Sequence, residues 1–449
     1  MTTRVHPVRD DALANTSYLV DVGDGRAVAV DPPRDVDEHL AIADRLAAEI
    51  VATFDTHVHA DYVSGATELA ARGTEAVVPE GARPRWPHRT IADDERLVFG
   101  EVTFRGLRTP GHTPEHMTYV VEVDGDPRGA FTGGSLILGG AARTDLLGDE
   151  RTEQLARAQF HSLRRLGALP DTTALYPTHG AGSFCLAAAS TVENATVASE
   201  RATNPLLAID DEDAFVEALV NGFGSFPTYY RHLQAVNQAG PRPLAGMSPP
   251  PALTAREVAT RVERGAWLVD ARPIDEWAAE HPVGAVSNEL RPAFPSWLGW
   301  VVPFGEPVIL IVDAERREEA TRLARRIGYD DLAFLDGGMR AWREAGLPSA
   351  AVEVVDPYAA HERHEAGALL LDVRQNTELD ALRIPGAVHL ELGDVIAGAT
   401  PPAREIITLC GHGERSATAA SLLQQRGFRV ANLAGGTAAW LEAGLAVVR

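Results

Sequence analysis

Two hydrophobic rhythms alternate along this chain. Short unbroken apolar runs give way to stretches in which apolar residues return every three or four positions. Ser17-Tyr18-Leu19-Val20 and Ala27-Val28-Ala29-Val30-Asp31 read as strands, 36–48 as a helix, and Ile50-Val51-Ala52-Thr53-Phe54 as the next strand. Late in the chain the runs return at 267–269, 308–312, 369–371 and 406–409, and helical patterns such as 416–423 follow them. That alternation predicts small parallel α/β domains. From Gly240-Pro241-Arg242-Pro243 to Pro249-Pro250-Pro251 the proline density can continue neither helix nor strand. It predicts an extended linker over 241–251, between a domain at 1–240 and the rest.

The second part repeats itself. Trp267-Leu268-Val269-Asp270-Ala271-Arg272 is echoed by Leu369-Leu370-Leu371-Asp372-Val373-Arg374. Leu335-Asp336-Gly337-Gly338-Met339-Arg340-Ala341-Trp342 is echoed by Leu433-Ala434-Gly435-Gly436-Thr437-Ala438-Ala439-Trp440. The repeat predicts two like domains, 252–350 and 356–449. They part after one strand. The second copy continues Cys410-Gly411-His412-Gly413-Glu414-Arg415 into a helical stretch, whereas the first continues Asp313-Ala314-Glu315-Arg316-Arg317 and has no cysteine. A cysteine at a strand end, in a glycine-containing loop that feeds a helix, sits among loop N–H groups, the positive helix end and Arg415. Such a setting lowers a thiol pKa and can cradle a persulfide. A buried structural cysteine is the plainer alternative. A cysteine phosphatase is the competing chemistry, but its loop typically has one more residue before the arginine.

The Asp-Val-Arg strand end at 372–374, the turn Ile384-Pro385-Gly386-Ala387, the Cys-x4-Arg loop and the Gly-Gly…Trp segment resemble, in that order, the rhodanese family. The likeness covers essentially all of 252–449. It implies that Cys410 carries a persulfide, with Arg415 in its loop, and that thiosulfate or a thiol persulfide is the donor. The first copy would then be structural or a docking domain.

In 1–240 the histidines cluster in three segments: Asp55-Thr56-His57-Val58-His59-Ala60-Asp61-Tyr62, Thr109-Pro110-Gly111-His112-Thr113-Pro114-Glu115-His116, and Tyr176-Pro177-Thr178-His179-Gly180-Ala181-Gly182. Two histidines one residue apart after a strand can turn both imidazoles into one pocket, and a third from a distant loop completes a set suited to zinc or iron. With Arg143-Thr144-Asp145-Leu146-Leu147-Gly148 and Arg201-Ala202-Thr203-Asn204-Pro205, these segments resemble the metallo-β-lactamase superfamily and, within it, the persulfide dioxygenases. The whole chain looks like a persulfide dioxygenase–rhodanese fusion. That resemblance implies an αββα sandwich followed by two rhodanese-like parallel α/β domains. It also implies a mononuclear iron at the positions of His57, His112 and an aspartate, oxidising a small persulfide with dioxygen.

The chain departs from that family at the metal. Gly134, in Phe131-Thr132-Gly133-Gly134-Ser135-Leu136, stands where the aspartate belongs, and Tyr62 stands where a further histidine belongs. Three states remain open: no metal, iron or zinc on His57, His59 and His112 as an open three-histidine set, or Asp61 or Asp145 as a replacement ligand. His116 and His179 are expected to line the same pocket. Cys185 is expected either to relay sulfane sulfur there or to be a small buried hydrophobe.

Charge narrows the partners. The 449 residues carry 41 basic against 63 acidic side chains, which argues against nucleic acid and anionic membrane. Only two cysteines, no signal-like N-terminus and no long apolar span predict a soluble, cytoplasmic protein without disulfides. Small persulfides, thiosulfate and thiols are the expected partners, together with a second copy of the chain. The leading expectation is a rhodanese-type sulfurtransferase. A still-active persulfide dioxygenase, a three-histidine metal hydrolase and a non-catalytic sulfur carrier are its alternatives.

Overall fold

The computed structural model describes residues 4–180, 182–185, 195–403 and 405–448, so Ala181 of the His179 segment lies outside the described residues. The chain divides into two compact units, Met1–Ser248 with Arg325–Gly328, and Pro249–Ala324 with Tyr329–Arg449. The break falls inside the proline-rich stretch. There Leu244–Gly246 forms a short 3-10 turn, so the stretch is not extended throughout.

In the first unit two sheets face each other. One holds, in spatial order, Arg4–Asp10, Asn15–Gly23, Arg26–Val30, Glu49–Phe54, Glu75–Pro79 and Arg89–Ile91. The other runs Ala174–Pro177, Asp126–Gly133, Met117–Val123, Val102–Arg108 and Arg96–Phe99. Their inner faces interlock through Val20, Val28, Phe54, Phe104, Tyr119 and Phe131, all buried. Helices cover the outer faces. Asp37–Leu46 packs Ile42 and Ala43 on Leu19, Ala27 and Ala29 of the first sheet. Asp149–Gly167 turns Ala156, Phe160, Leu163 and Leu166 onto the second, at the spacing of one helix face. The result is the expected αββα sandwich. Strands apolar on both faces are what such layering requires.

The second unit carries two parallel sheets with the same spatial order. The first copy runs Ala252–Leu253, Leu332–Leu335, Val308–Ile311, Trp267–Asp270, Val286–Ser287. The second runs Glu353–Val355, Arg429–Leu433, Glu405–Leu409, Leu369–Asp372, Val388–His389. The registers agree residue for residue: Asp270 pairs with Ile311 as Asp372 pairs with Leu409. Val312 is therefore the counterpart of Cys410. Sequence signals start the helices cleanly. Thr254 and Glu257 form a capping box, and Asp356 caps a helix that opens on Pro357. Among the described residues no helix is long and apolar enough to cross a membrane.

Candidate functional site

Cys410 follows the middle strand Glu405–Leu409, and the helix Glu414–Gln425 begins four residues later, so Glu414 and Arg415 are its first turn and not loop. Gly413 makes the turn with φ +113°, a conformation L side chains avoid, and its N–H donates to Cys410 Sγ at 3.1 Å. The Arg415 guanidinium interacts with the same sulfur and is held by the Glu378 carboxylate, one of its two contacts being 2.7 Å. Burial works against the guanidinium's charge, but Glu378 and Cys410 raise its pKa above the usual value. Cys410 is fully buried, but its sulfur meets the Gly413 N–H and the Arg415 guanidinium and not hydrocarbon alone. His412 and Gly413 border an open cleft of about 570 Å³, whose other wall includes Pro273, Ile274 and Asp275 of the first copy.

Two features of this site were invisible as such in the sequence. Gly436 (φ +58°) lets its backbone approach the loop so closely that a Cβ there would lie 2.2 Å from the Cys410 carbonyl oxygen. The N–H groups of Thr437 and Ala438 then donate to the carbonyls of Cys410 and Gly411 at 2.7 and 3.1 Å. The helix after the loop is also held by the first copy. Thr418 Oγ1 donates to the Ser287 carbonyl at 2.7 Å, and Ala417 and Ala420 pack on Trp277 and Ala278.

In the first unit the histidines gather where strands of both sheets end. Asp31 is the hub, and the sequence reading did not single it out as a site residue. It accepts from Thr56 N–H at 2.6 Å, Thr56 Oγ1 at 2.8 Å, His59 Nε2 at 3.2 Å and Thr178 Oγ1. Burial opposes its charge, yet His59 and these donors hold the carboxyl below the usual carboxylate range. Burial likewise opposes charge on His59, but Asp31 wins and lifts its pKa to about 8. His59 Nε2 faces Asp31, and His59 groups with Asp31 and Asp55, whereas ring nitrogens of His57, His112 and His179 lie within 4.8 Å of one another.

The other expected pocket residues have separate places. Tyr62 stacks on His59 with ring centroids 4.3 Å apart and donates to the Asp31 carbonyl at 3.0 Å. His116 Nε2 accepts the Gly134 N–H at 3.0 Å, so that lone pair is taken. Asp145 is gripped by Arg143 through two 2.7 Å contacts. Asp61 accepts from Asn15 at 2.6 Å and sits 3.5 Å from His179 Nδ1. Cys185 lies beside Asp61 and His179, and burial pushes its thiol well above the ordinary value. Burial and the neighbouring imidazoles push His57 well down, burial and the nearby His179 imidazole bring His112 to about 3, and burial and His59 bring His179 to about 3. The three are neutral rings, the form that binds metals.

The rhodanese-like domain family model matches residues 254–345 and 356–443. The first unit is similar to a probable metallo-hydrolase of Burkholderia pseudomallei, 32% identical over 210 residues, covering 38% of this chain and 70% of the relative. It is similar to human mitochondrial persulfide dioxygenase at 29% over 216 residues, covering 46% of this chain and 76% of that one. The chain joins a metallo-hydrolase unit of the metallo-β-lactamase fold, with homology to persulfide dioxygenase, to two rhodanese-like domains. A solved metallo-β-lactamase from Staphylococcus aureus extends the likeness beyond the first unit's length: its TM-score is 0.67 at 25% identity, and it covers 74% of this chain and 99% of its own. Position 134 is a glycine, and a Cβ there would lie 2.5 Å from His112 Cδ2 and 3.1 Å from Ala142 Cβ, so a side chain at 134 must move the His112 ring.

Proposed function

We propose that this protein is a sulfane-sulfur transferase whose working group is Cys410. The observation that carries the reading is the Gly413 N–H and the Arg415 guanidinium converging on one sulfur at a helix start. Amide and guanidinium both meet this sulfur, and a cysteine sulfur acts as nucleophile in its thiolate form. It attacks the outer sulfur of thiosulfate, or of a thiol persulfide. The new bond joins Cys410 Sγ to that sulfur, the donor's own S–S bond breaks, and sulfite or a thiolate leaves with the electron pair. The persulfide anion takes over the N–H and guanidinium contacts. A thiol, sulfite or cyanide then attacks the outer sulfur, and Cys410 departs as thiolate. No oxidant or reductant is consumed in either half, so turnover is ping-pong. The first copy has no cysteine, and its part is to seat the helix that carries Arg415 and to wall the cleft.

The test is direct trapping. Full-length protein treated with thiosulfate should gain the mass of one sulfur atom per chain and lose it on addition of cyanide or sulfite. Cys410→Ser should gain none. A one-sulfur adduct of equal yield on Cys410→Ser would place the sulfur elsewhere and sink the reading.

A further inference from the structure

The histidine cluster supports an inference that does not depend on sulfur transfer at Cys410. Each of its three rings has its Nδ1 engaged in a way that fixes where the free lone pair lies. His112 Nδ1 is 2.7 Å from the Arg143 carbonyl oxygen, and a carbonyl only accepts, so Nδ1 carries the hydrogen. His179 Nδ1 is 3.0 Å from Asn15 Oδ1, again an acceptor, while the Asn15 amide nitrogen donates to Asp61. Thr56 Oγ1 donates its own hydrogen to Asp31 at 2.8 Å and so receives one from His57 Nδ1 at 2.9 Å. In all three rings Nε2 is therefore the bare nitrogen. These Nε2 atoms are buried and have no hydrogen-bond partner among the described residues. Three lone pairs facing one another in a buried site repel, and none has a protein donor. A cation between them reverses the sign of all three interactions.

We propose that the first unit binds one zinc ion through Nε2 of His57, His112 and His179, with His179 as third ligand in place of the missing carboxylate. His116 Nε2 is taken by the Gly134 N–H, and His59, with Nε2 on Asp31 and a bare Nδ1, groups with Asp31 and Asp55 and not with these three rings. The ligand set selects the metal. Three neutral imidazoles make the open zinc arrangement, whereas two imidazoles and a carboxylate make the iron oxygenase one. Thr56, Arg143 and Asn15 orient the rings from outside, as second contacts of metal-bound histidines do. A zinc so held supplies Lewis acidity without a redox couple.

The test reads metal, not turnover. Full-length protein is incubated with an equimolar mixture of Zn²⁺ and Fe²⁺ under anaerobic conditions, desalted and analysed for both metals. X-ray absorption at the metal edge then counts imidazole ligands. About one zinc per chain, little iron and three imidazoles are expected. His179→Ala should weaken zinc binding by roughly 100-fold or more and remove one imidazole from the spectrum, while His59→Gln keeps all three. Gly134→Asp should also weaken zinc binding, because its side chain displaces His112. Zinc-free protein, preferential retention of iron, fewer than three imidazoles in the wild type, or unchanged affinity in a folded His179→Ala would each overturn the assignment. If His179→Ala fails to fold, the wild-type imidazole count decides.

Discussion

The two rhodanese-like copies are built alike and diverge within a single loop. Both keep a buried ion pair beneath the sheet edge: Arg272 Nε to Asp270 at 2.9 Å in one, Arg374 Nε to Asp372 at 3.0 Å in the other. Both keep a left-handed glycine pair, Gly337–Gly338 and Gly435–Gly436. Four residues lie between Val312 and Arg317, as between Cys410 and Arg415. The loop lengths match, so what the first copy lost is not only a sulfur. Glu315 stands at the place of Gly413, and a residue with a side chain resists φ +113°. The chain instead makes a 3-10 turn over Ala314–Arg316, and Arg317 turns to the Leu335 carbonyl and Asp336. Scaffold and chemistry are therefore separable here: the sheet and its clamps survive where the anion cradle does not.

The sharpest way to break that comparison is to move the nucleophile. Cys410→Ser should lower thiosulfate sulfurtransferase activity by about three orders of magnitude or more. Adding Val312→Cys to that variant should restore nothing, because Glu315 replaces the glycine of the cradle and Arg317 is turned to the Leu335 carbonyl and Asp336. Recovered turnover would show the first loop to be competent. Next in size is the shared clamp. Asp270→Asn and Asp372→Asn each strand a buried guanidinium and should each lower unfolding free energy in urea by about 3 kcal/mol. A gap between the two well beyond about 1 kcal/mol would mean the copies are less alike than their registers imply. The smallest effect separates the glycines. Gly338→Ala meets open space and suffers only the left-handed backbone penalty, about 1 kcal/mol. Gly436→Ala also collides with the Cys410 carbonyl, so it should lose about 2 kcal/mol and part of its sulfur-transfer rate. Equal losses would mean the close approach at Gly436 is not what supports the loop.

The architecture was legible because strands, helices and the repeat are local patterns. The runs at 267–269 and 369–371 and the glycine pairs each fix an element from its own residues. The niche around Cys410 was half legible. Its loop and Arg415 are contiguous, whereas Glu378 arrives from a different helix and Gly436 acts through a distance of closest approach. The metal set was the least legible. Adjacent numbering favoured His57 with His59, but that choice turns on which ring Asp31 captures. Asp31 ends another strand, and nothing in its neighbours announces it. His179 reaches the cluster from the opposite sheet through a loop whose direction depends on Asn15, and no spacing rule encodes that.

A glycine codon and an aspartate codon differ by as little as one nucleotide, yet the close packing at Gly134 makes that short genetic step a steep one. The ring of His112 already fills the space into which a new side chain would grow. Placing a carboxylate there therefore demands a second, coordinated change, and a variant carrying only the first is crowded.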